Sequence, residues 1–229
     1  MKEKTDYYAL IVAGGSGLRM NSDVPKQFML LNNKPILMHT LERFFSFMPE
    51  MNLILVLPEN QFETWKDLCQ TYHFDVPHQL VAGGTERFWS VKNGLDAILG
   101  NGIVCIHDGV RPLVSHATIK ICLETTLETG NAVPVMPVVE SLRQVKFGHN
   151  KSANRKHFVT IQTPQVFNIE KIKAAYALGY DLLFTDDSSV LERTGATIHL
   201  VEGNRENIKI THPLDLKIAE TILNSIQGE

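Results

Sequence analysis

The first two-thirds of the chain alternates between short apolar runs and longer segments in which apolar residues recur every three or four positions. The runs at residues 8–12, 53–57, 79–82, 103–107 and 132–138 show little polar alternation, which is typical of parallel strands buried on both faces. The segments between them predict four helices, each with one buried stripe. The stripe positions are Ile36, Leu37, Leu41, Phe44 and Phe45; Phe62, Trp65, Leu68, Cys69 and Tyr72; Phe88, Val91, Leu95 and Ile98; and Ile119, Cys122, Thr126 and Leu127.

The regular order of strand and helix predicts the fold class. Alternating strands and helices favour right-handed βαβ units, because that crossover packs a helix back onto a twisted sheet. We therefore expect an α/β fold with a Rossmann-like, doubly wound, mostly parallel sheet. Ser115 is predicted to cap the fourth helix, and Gly130 to end it.

The pattern changes after the fifth predicted strand. Residues 140–156 are polar and contain the turn sequence Gly-His-Asn at 148–150, with strand-like pieces at 142–147 and 157–161. This predicts a β-hairpin arm, at about residues 140–157, that protrudes from the core. A plain surface loop is the alternative that the pattern leaves open.

The last third returns to regular elements. Helices are predicted at 168–178, 186–193 and 213–226, and strands at 197–201 and 207–210. No internal repeat or linker interrupts the 229 residues, of which 44% are apolar. A chain of this length and composition is able to bury one sizeable core, so we expect a single domain over the whole chain.

Composition narrows the classes of function. The formal net charge of −3 gives no general attraction for nucleic acid or an anionic membrane, so we expect neither as a partner. The first apolar run is too short for a signal peptide and no run approaches a membrane span, which predicts a cytoplasmic protein. Cys69, Cys105 and Cys122 form no CxxC pair, and the nine histidines show no metal spacing. Buried free thiols are therefore expected, rather than a disulfide or a zinc site.

Three chemically rich loops follow predicted strands directly. They span residues 14–26, 83–91 and 107–112, after the first, third and fourth strands. Ligands of such sheets bind beyond the carboxyl ends of the strands. We therefore expect the three loops to meet at one edge of the sheet, called the carboxyl edge below.

The first loop has the composition of a phosphate-binding loop. Gly14, Gly15 and Gly17 allow the backbone to turn several amide N–H groups toward one point, and Arg19 and Lys26 add two cations. This arrangement suits a polyphosphate. It matches neither the dinucleotide motif GxGxxG nor a Walker A loop. A tight turn with solvated charges is the alternative for the glycines alone.

Further candidate residues come from the other loops. Asp108 ends an apolar run, where its carboxylate is able to hold Mg²⁺ bridging phosphate oxygens, although bonding to turn amides is the alternative. Arg111 adds an anion-binding group beside it. Arg87 and Ser90 are expected to face the carboxyl edge, against the alternatives of a helix-surface arginine and a helix-start serine. Lys209 is either a site lysine or an edge-strand residue in solvent. Together these residues indicate a nucleotide-phosphate site with a divalent metal.

The combination of motifs is more specific than any one of them. The segments "AGGSGLRM", "PKQF", "AGGTERFWSV", "HDGVRP", "TPQVF", "TDDSSVLE" and "VEGNRENIKIT" occur in this order. Over about residues 7–226 the chain resembles the 2-C-methyl-D-erythritol 4-phosphate cytidylyltransferases of the non-mevalonate isoprenoid pathway. The resemblance implies a sheet of the nucleotide-diphospho-sugar transferase type and transfer of CMP from CTP to 2-C-methyl-D-erythritol 4-phosphate. Pyrophosphate is the second product, and Mg²⁺ or another divalent cation is the implied cofactor.

The resemblance also implies roles for individual residues. Arg19, Lys26 and Lys209 would surround the reacting phosphorus, and Asp108 would serve the metal and the erythritol hydroxyls. The implied CTP-binding residues are Ala13, Gly14, Gly15, Gly17, Gly83, Thr85, Arg87, Ser90, Gly109 and Val110. The implied residues for the phosphorylated polyol are Asp108, Arg111, Ser141, Arg155, Thr163 and Thr185. The arm at 140–157 would reach into a partner subunit, so the resemblance implies a homodimer in which Ser141 and Arg155 serve the neighbour's site.

The chain departs from the family pattern in three places. Thr85 stands where some members carry Asp, Gly109-Val110 replaces a common Ala-Ala, and Glu140-Ser141 replaces a frequent Asp-Thr. Two other functions stay open from the sequence: a ribitol 5-phosphate cytidylyltransferase and a nucleotide-binding regulator without turnover. The retained cations argue against the regulator, because sensing a nucleotide does not require positive charge at its α-phosphate.

Overall fold

A computed structural model describes residues 5–14 and 24–227. Within them the strands are β1 (Tyr7–Val12), β2 (Leu30–Leu31), β3 (Lys34–Pro35), β4 (Asn52–Leu57), β5 (Gln79–Ala82), β6 (Ile103–Asp108), β7 (Asn131–Pro137), β8 (Leu142–Lys146), β9 (His149–Ala153), β10 (Val159–Ile161), β11 (Gln165–Asn168) and β12 (Leu200–Glu202). The α-helices are α1 (Ile36–Phe47), α2 (Phe62–Thr71), α3 (Arg87–Asp96), α4 (His116–Thr129), α5 (Ile169–Ala177), α6 (Asp187–Glu192) and α7 (Pro213–Gln227). As the helical stripes of the sequence predict, one helix follows each of β4, β5 and β6.

The main sheet has the order β10-β7-β11-β6-β1-β4-β5, with β12 also paired with β7. Strand β1 runs parallel to β4 and β6, and β4 runs parallel to β5. The carboxyl ends of these four strands therefore lie at the same edge. Strands β10 and β11 run antiparallel to their neighbours. The prediction of a mostly parallel α/β sheet is confirmed.

Both faces of the sheet are covered by helices. Successive side chains of a strand point to opposite faces, and in β1 Ala9 and Ile11 join one apolar cluster while Leu10 joins another. The first cluster includes residues of α1, α2 and α4, and the second includes residues of α3, α5 and α6. The predicted ends of α4 are confirmed, because the Ser115 side chain accepts a hydrogen bond from the Thr118 N–H and Gly130 is left-handed at φ +93°.

The structure corrects the sequence-based elements of the last third. Strand β11 was not predicted, yet it lies between β6 and β7 with Val166 and Phe167 fully buried in opposite clusters. The predicted strand 207–210 is wrong, because this segment is a loop. Its backbone bonds to other loops instead of a strand, as when Ile210 N–H donates to the Val110 carbonyl.

Strands β8 and β9 form a separate two-stranded sheet within residues 140–157, which is compatible with the predicted hairpin arm. Its turn has Phe147 at φ +49° and Gly148 at φ +77°, the signs that two-residue hairpin turns require. The strand predicted at 157–161 is present at residues 159–161, but it does not belong to the arm, which β9 completes. Residues 159–161 form β10 and pair with β7 in the main sheet. None of the helices within the described residues is both long enough and apolar enough to cross a membrane.

Candidate active site

The three loops meet at the carboxyl edge of the sheet, as predicted, through the residues that the structure describes: 14 and 24–26 of the first loop and all of the other two. They enclose a first cavity of about 340 Å³. Nine of the residues singled out from the sequence line it: Ala13, Gly14, Lys26, Thr85, Arg87, Ser90, Asp108, Val110 and Lys209. Gln27, Glu86 and Gly84 complete the wall together with Val12.

Gly83 and Gly109 do not line the first cavity, but they allow its loops to pack closely. A Cβ at Gly83 would lie 3.1 Å from the Ser90 Oγ, and one at Gly109 would lie 2.8 Å from the Cβ of Ala13. Ser90 Oγ accepts a hydrogen bond from the Gly84 N–H at 3.1 Å and donates to the Glu86 carbonyl at 3.1 Å. In this structure Ser90 therefore holds its own loop, as a serine near a helix start commonly does.

A second cavity of about 280 Å³ adjoins the first. The second cavity is lined in part by Arg111, Thr163 and Thr185. The resemblance to the family implies that these three residues bind the phosphorylated polyol. Arg87, Asp108 and Lys209 line both cavities. These three residues are called the shared wall below. The two spaces therefore meet at one carboxylate and two cations.

Asp108 is the electrostatic centre of the shared wall. It ends β6 and is 7% exposed. Its Oδ2 lies 3.0 Å from Lys209 Nζ and 3.1 Å from Arg111 Nε, and its Oδ1 lies 3.8 Å from Arg87 Nε. Burial by itself raises the pKa of Asp108, but the three cations outweigh burial and hold the pKa well below its usual range. The carboxylate is therefore ionised at neutral pH. The three cations around it outnumber it, so the net charge of this cluster is positive.

Arg87 is fixed by a buried carboxylate that sequence reasoning did not select. Its Nη1 and Nη2 donate to the two oxygens of Asp187 at 2.6 and 2.7 Å. Asp187 is fully buried and also accepts a hydrogen bond from Tyr176 Oη at 2.7 Å. Burial alone lowers the pKa of Arg87, but the pairing with Asp187 raises it above its usual range. The double aspartate in "TDDSSVLE" was the available signal.

His107 organises the end of β6. Its Nε2 lies 3.0 Å from the Arg111 carbonyl, and its Nδ1 lies 3.1 Å from Thr163 Oγ1. A carbonyl only accepts, so Nε2 carries the proton and Nδ1 accepts from the Thr163 hydroxyl. The same hydroxyl oxygen accepts the Asp108 N–H at 3.1 Å. Burial lowers the pKa of His107 to about 4, in agreement with a neutral ring.

The loop that carries Lys209 is pinned by buried amides. Asn207 is fully buried, its Nδ2 donates to the Thr163 carbonyl at 2.7 Å, and its carbonyl accepts from Arg111 Nη1 at 2.7 Å. A Cβ at Gly203 would lie 2.3 Å from Gln162 Oε1, so a larger residue there would displace the Gln162 amide. The motif "VEGNRENIKIT" thus delivers the lysine to Asp108 from a loop far along the chain.

Five further predicted residues either lie outside the described residues or line neither cavity. Gly15, Gly17 and Arg19 lie outside the described residues. Ser141 immediately precedes β8 of the arm, and Arg155 follows β9, where it donates a hydrogen bond to the Val139 carbonyl. Neither of these two lines the first or the second cavity.

A divalent cation would find one suitable protein ligand at the shared wall. Within residues 5–14 and 24–227, no group of three or more His, Cys, Asp or Glu side chains is placed to hold a metal. Mg²⁺ bound with substrate phosphates commonly uses only one or two carboxylates. Asp108 fits that limited role through Oδ1, because the cation nearest to Oδ1 is Arg87 Nε at 3.8 Å. The other oxygen, Oδ2, is already paired with Lys209 and Arg111 at 3.0 and 3.1 Å.

Comparisons with known proteins point to one family. A family model described as 2-C-methyl-D-erythritol 4-phosphate cytidylyltransferase matches residues 7–225. The protein of that name from Phocaeicola vulgatus is 49% identical over 216 residues, which cover 94% of this chain and 99% of the relative. The one from Syntrophus aciditrophicus is 38% identical over 231 residues, with coverage of 98% and 99%.

Solved structures show the same relationship. The crystal structure of 4-diphosphocytidyl-2C-methyl-D-erythritol synthase from Anaerococcus prevotii matches with a TM-score of 0.83 and 27% identity, covering 96% of both chains. The 2-C-methyl-D-erythritol 4-phosphate cytidylyltransferase from Thermus thermophilus matches with a TM-score of 0.79 and 28% identity, covering 96% of this chain and all of that one. The chain belongs to the 2-C-methyl-D-erythritol 4-phosphate cytidylyltransferase family.

Proposed function

We propose that the protein transfers CMP from CTP to 2-C-methyl-D-erythritol 4-phosphate, releasing pyrophosphate and forming 4-diphosphocytidyl-2-C-methyl-D-erythritol. The observation that carries this proposal is the pair of adjoining cavities with Arg87, Asp108 and Lys209 as their shared wall. A transfer between two phosphorylated substrates needs two binding spaces that meet at the reacting phosphorus. The family of the chain supplies the identity of the two substrates.

In this reaction a phosphate oxygen of the acceptor attacks the α-phosphorus of CTP in line with the leaving pyrophosphate. No enzyme nucleophile is required, so the protein contributes positioning and stabilisation of developing negative charge. We assign the charge stabilisation to Arg19, Lys26 and Lys209. The last two are among the described residues. Asp108 keeps Lys209 at the junction through their 3.0 Å ion pair.

The first cavity is proposed to hold CTP. The backbone of Gly14, Gly15 and Gly17 would bind the triphosphate, because consecutive amides and nearby cations suit a polyanion. The cytosine and ribose would be read by the loops that carry Gly83, Thr85, Arg87, Ser90, Gly109 and Val110. When bound, a divalent cation neutralises triphosphate charge and polarises the α-phosphate, and Asp108 would hold it with the phosphates as further ligands.

The second cavity is proposed to hold the acceptor. Arg111, Thr163 and Thr185 would meet its phosphate, and Asp108 its hydroxyls. For Thr163 this role requires its hydroxyl proton to turn from His107 toward the phosphate. We further propose that the protein acts in the cytoplasm as a homodimer, in which the arm at 140–157 places Ser141 and Arg155 in the neighbour's second cavity.

The test is pyrophosphate release from CTP and Mg²⁺ by the purified protein, with 2-C-methyl-D-erythritol 4-phosphate or ribitol 5-phosphate as the acceptor in parallel reactions. We expect release with the erythritol compound and little with the ribitol compound. A preference for ribitol 5-phosphate would overturn the assigned acceptor. No release with either compound, in a protein that binds CTP, would overturn the assigned reaction.

A further inference from the structure

Arg87 is hydrogen-bonded to Asp187, which is in turn hydrogen-bonded to Tyr176. Asp187 and Tyr176 line neither the first nor the second cavity. Asp187 is the first residue of α6, and Tyr176 lies near the end of α5. Both Nη groups of Arg87 donate to Asp187, and Tyr176 Oη donates to Asp187 Oδ1 at 2.7 Å. The remaining edge of the guanidinium carries Nε, which lies 3.8 Å from Asp108 Oδ1. The orientation of Arg87 at the shared wall therefore depends on groups outside the cavities.

Stability alone is a weak reason for such an arrangement. Asp187 is 0% exposed, and removing a carboxylate from water costs about as much as its ion pair returns. Replacing a buried ion pair with apolar residues of similar volume is often neutral or stabilising. A bidentate pair with arginine has a different property, since its two parallel hydrogen bonds fix the plane of the guanidinium.

The hydroxyl of Tyr176 is itself held in place. The ring of Tyr176 stacks on Phe88 at a centroid distance of 4.6 Å. Phe88 is the residue next to Arg87 in α3 and is 6% exposed. Helices α3, α5 and α6 therefore converge on one buried hydrogen-bonded group. Displacement of the Asp187 carboxylate or of the Tyr176 hydroxyl would turn the guanidinium edge that faces Asp108.

We infer that Asp187 and Tyr176 are positioning residues, which fix the guanidinium of Arg87 so that its Nε edge faces the junction of the two cavities. The inference rests on the proposed function, because it gives Arg87 a fixed place beside both substrates. Asp187 also supplies a second negative charge to a cluster in which Arg87, Arg111 and Lys209 surround a single carboxylate. Neither residue lines a cavity that would hold a substrate, and both act through Arg87.

The test compares Asp187→Asn and Tyr176→Phe with a matched control, Asn168→Ala. Asn168 caps the same helix that carries Tyr176, with its Oδ1 accepting the Lys171 N–H at 3.1 Å. It lies at the end of β11 next to Ile103, at the opposite end of β6 from Asp108. Loss of this cap destabilises the protein without touching Arg87. Each protein is assayed for the free energy of unfolding in urea and, where fully folded, for kcat and both KM values.

For Asp187→Asn we expect kcat to fall by roughly 10- to 100-fold, the size that misplacing a group by about 1 Å produces. Tyr176→Phe is expected to lose less, because the arginine–aspartate pair is retained. Asn168→Ala is expected to keep kcat and both KM values within about twofold of the wild type. A folded Asp187→Asn protein with wild-type constants would overturn the inference. If that variant does not fold, wild-type constants in Tyr176→Phe would overturn the role of the tyrosine hydroxyl.

A second readout is independent of turnover. The ¹⁵N–¹H resonance of the Arg87 Nε–H, identified by its absence in Arg87→Lys, reports how firmly the guanidinium is held. We expect it to shift and broaden in Asp187→Asn and to stay unchanged in Asn168→Ala. An unchanged resonance in Asp187→Asn would overturn the inference. A wild-type protein that turns over neither acceptor would instead refute the proposed reaction and leave this comparison intact.

Discussion

The buried histidine at the end of β6 predicts a specific dependence of stability on pH. His107 is fully buried, and burial lowers its pKa from 6.5 to about 4. At pH 7 the ring is neutral in both the folded and the unfolded chain, so it makes no pH-dependent contribution. As the pH falls below 6.5, the unfolded chain takes up a proton that the folded protein does not, and the unfolded state is favoured. Stability is therefore lost on acidification between pH 6.5 and about 4.

The size of the effect follows from that interval. Each pH unit between the two pKa values contributes about 1.4 kcal/mol, so the whole interval contributes about 3 kcal/mol to the free energy of unfolding. This is a large part of the stability of an ordinary domain. Asp108 has a lowered pKa as well, but it titrates chiefly below this window.

The assay is urea unfolding of the wild type and of His107→Asn at intervals from pH 7.5 to pH 4.5. The asparagine oxygen replaces Nδ1 as the acceptor for Thr163 but does not titrate. His39 and His78 also have pKa values lowered by burial, and they affect both proteins equally. We expect the stability advantage of the wild type over the variant to shrink by about 2 to 3 kcal/mol on acidification. Parallel curves for the two proteins would refute the reasoning.

Two further predictions concern activity and assembly. Lys26→Ala should lower kcat by roughly 10²- to 10³-fold in the pyrophosphate assay, as expected when one donor to a developing charge is lost. The control is Lys66→Ala, because Lys66 is an exposed lysine of α2. Normal turnover by Lys26→Ala would refute the role assigned to Lys26. Replacing residues 146–154 with a short Gly-Ser turn should weaken the proposed homodimer and the activity together. Sedimentation that finds an unchanged and active dimer would exclude the arm as the source of the interface.

Several parts of the site were accessible from the sequence because their signals are local. A parallel strand buried on both faces, followed by glycines and cations, predicts a loop at the carboxyl edge wherever it occurs. This reasoning located Lys26, Ser90 and Asp108 in the wall of one cavity. Lys209 could be placed there only by the resemblance of the whole chain to the family, since its local sequence also fitted an edge strand in solvent.

Other parts left little local signal. Strand β9 is polar and exposed along most of its length, so no alternation marks it as a strand. Strand β11 has four residues, begins just after a proline and leads directly into α5. Its place between β6 and β7 depends on pairing with residues about 30 to 60 positions away. No periodicity within the segment carries that information.

The amino-acid sequence by itself determined the fold class, the family and the set of loops that line the first cavity, because hydrophobic periods and short motifs are properties of neighbouring residues. Only the tertiary structure decided that Arg87, Arg111 and Lys209 converge on one carboxylate and that two cavities share it. It also revealed Asp187 behind Arg87, 100 positions along the chain. Such convergence is set by sheet order and helix packing, which join distant segments through contacts that leave no pattern in either segment alone.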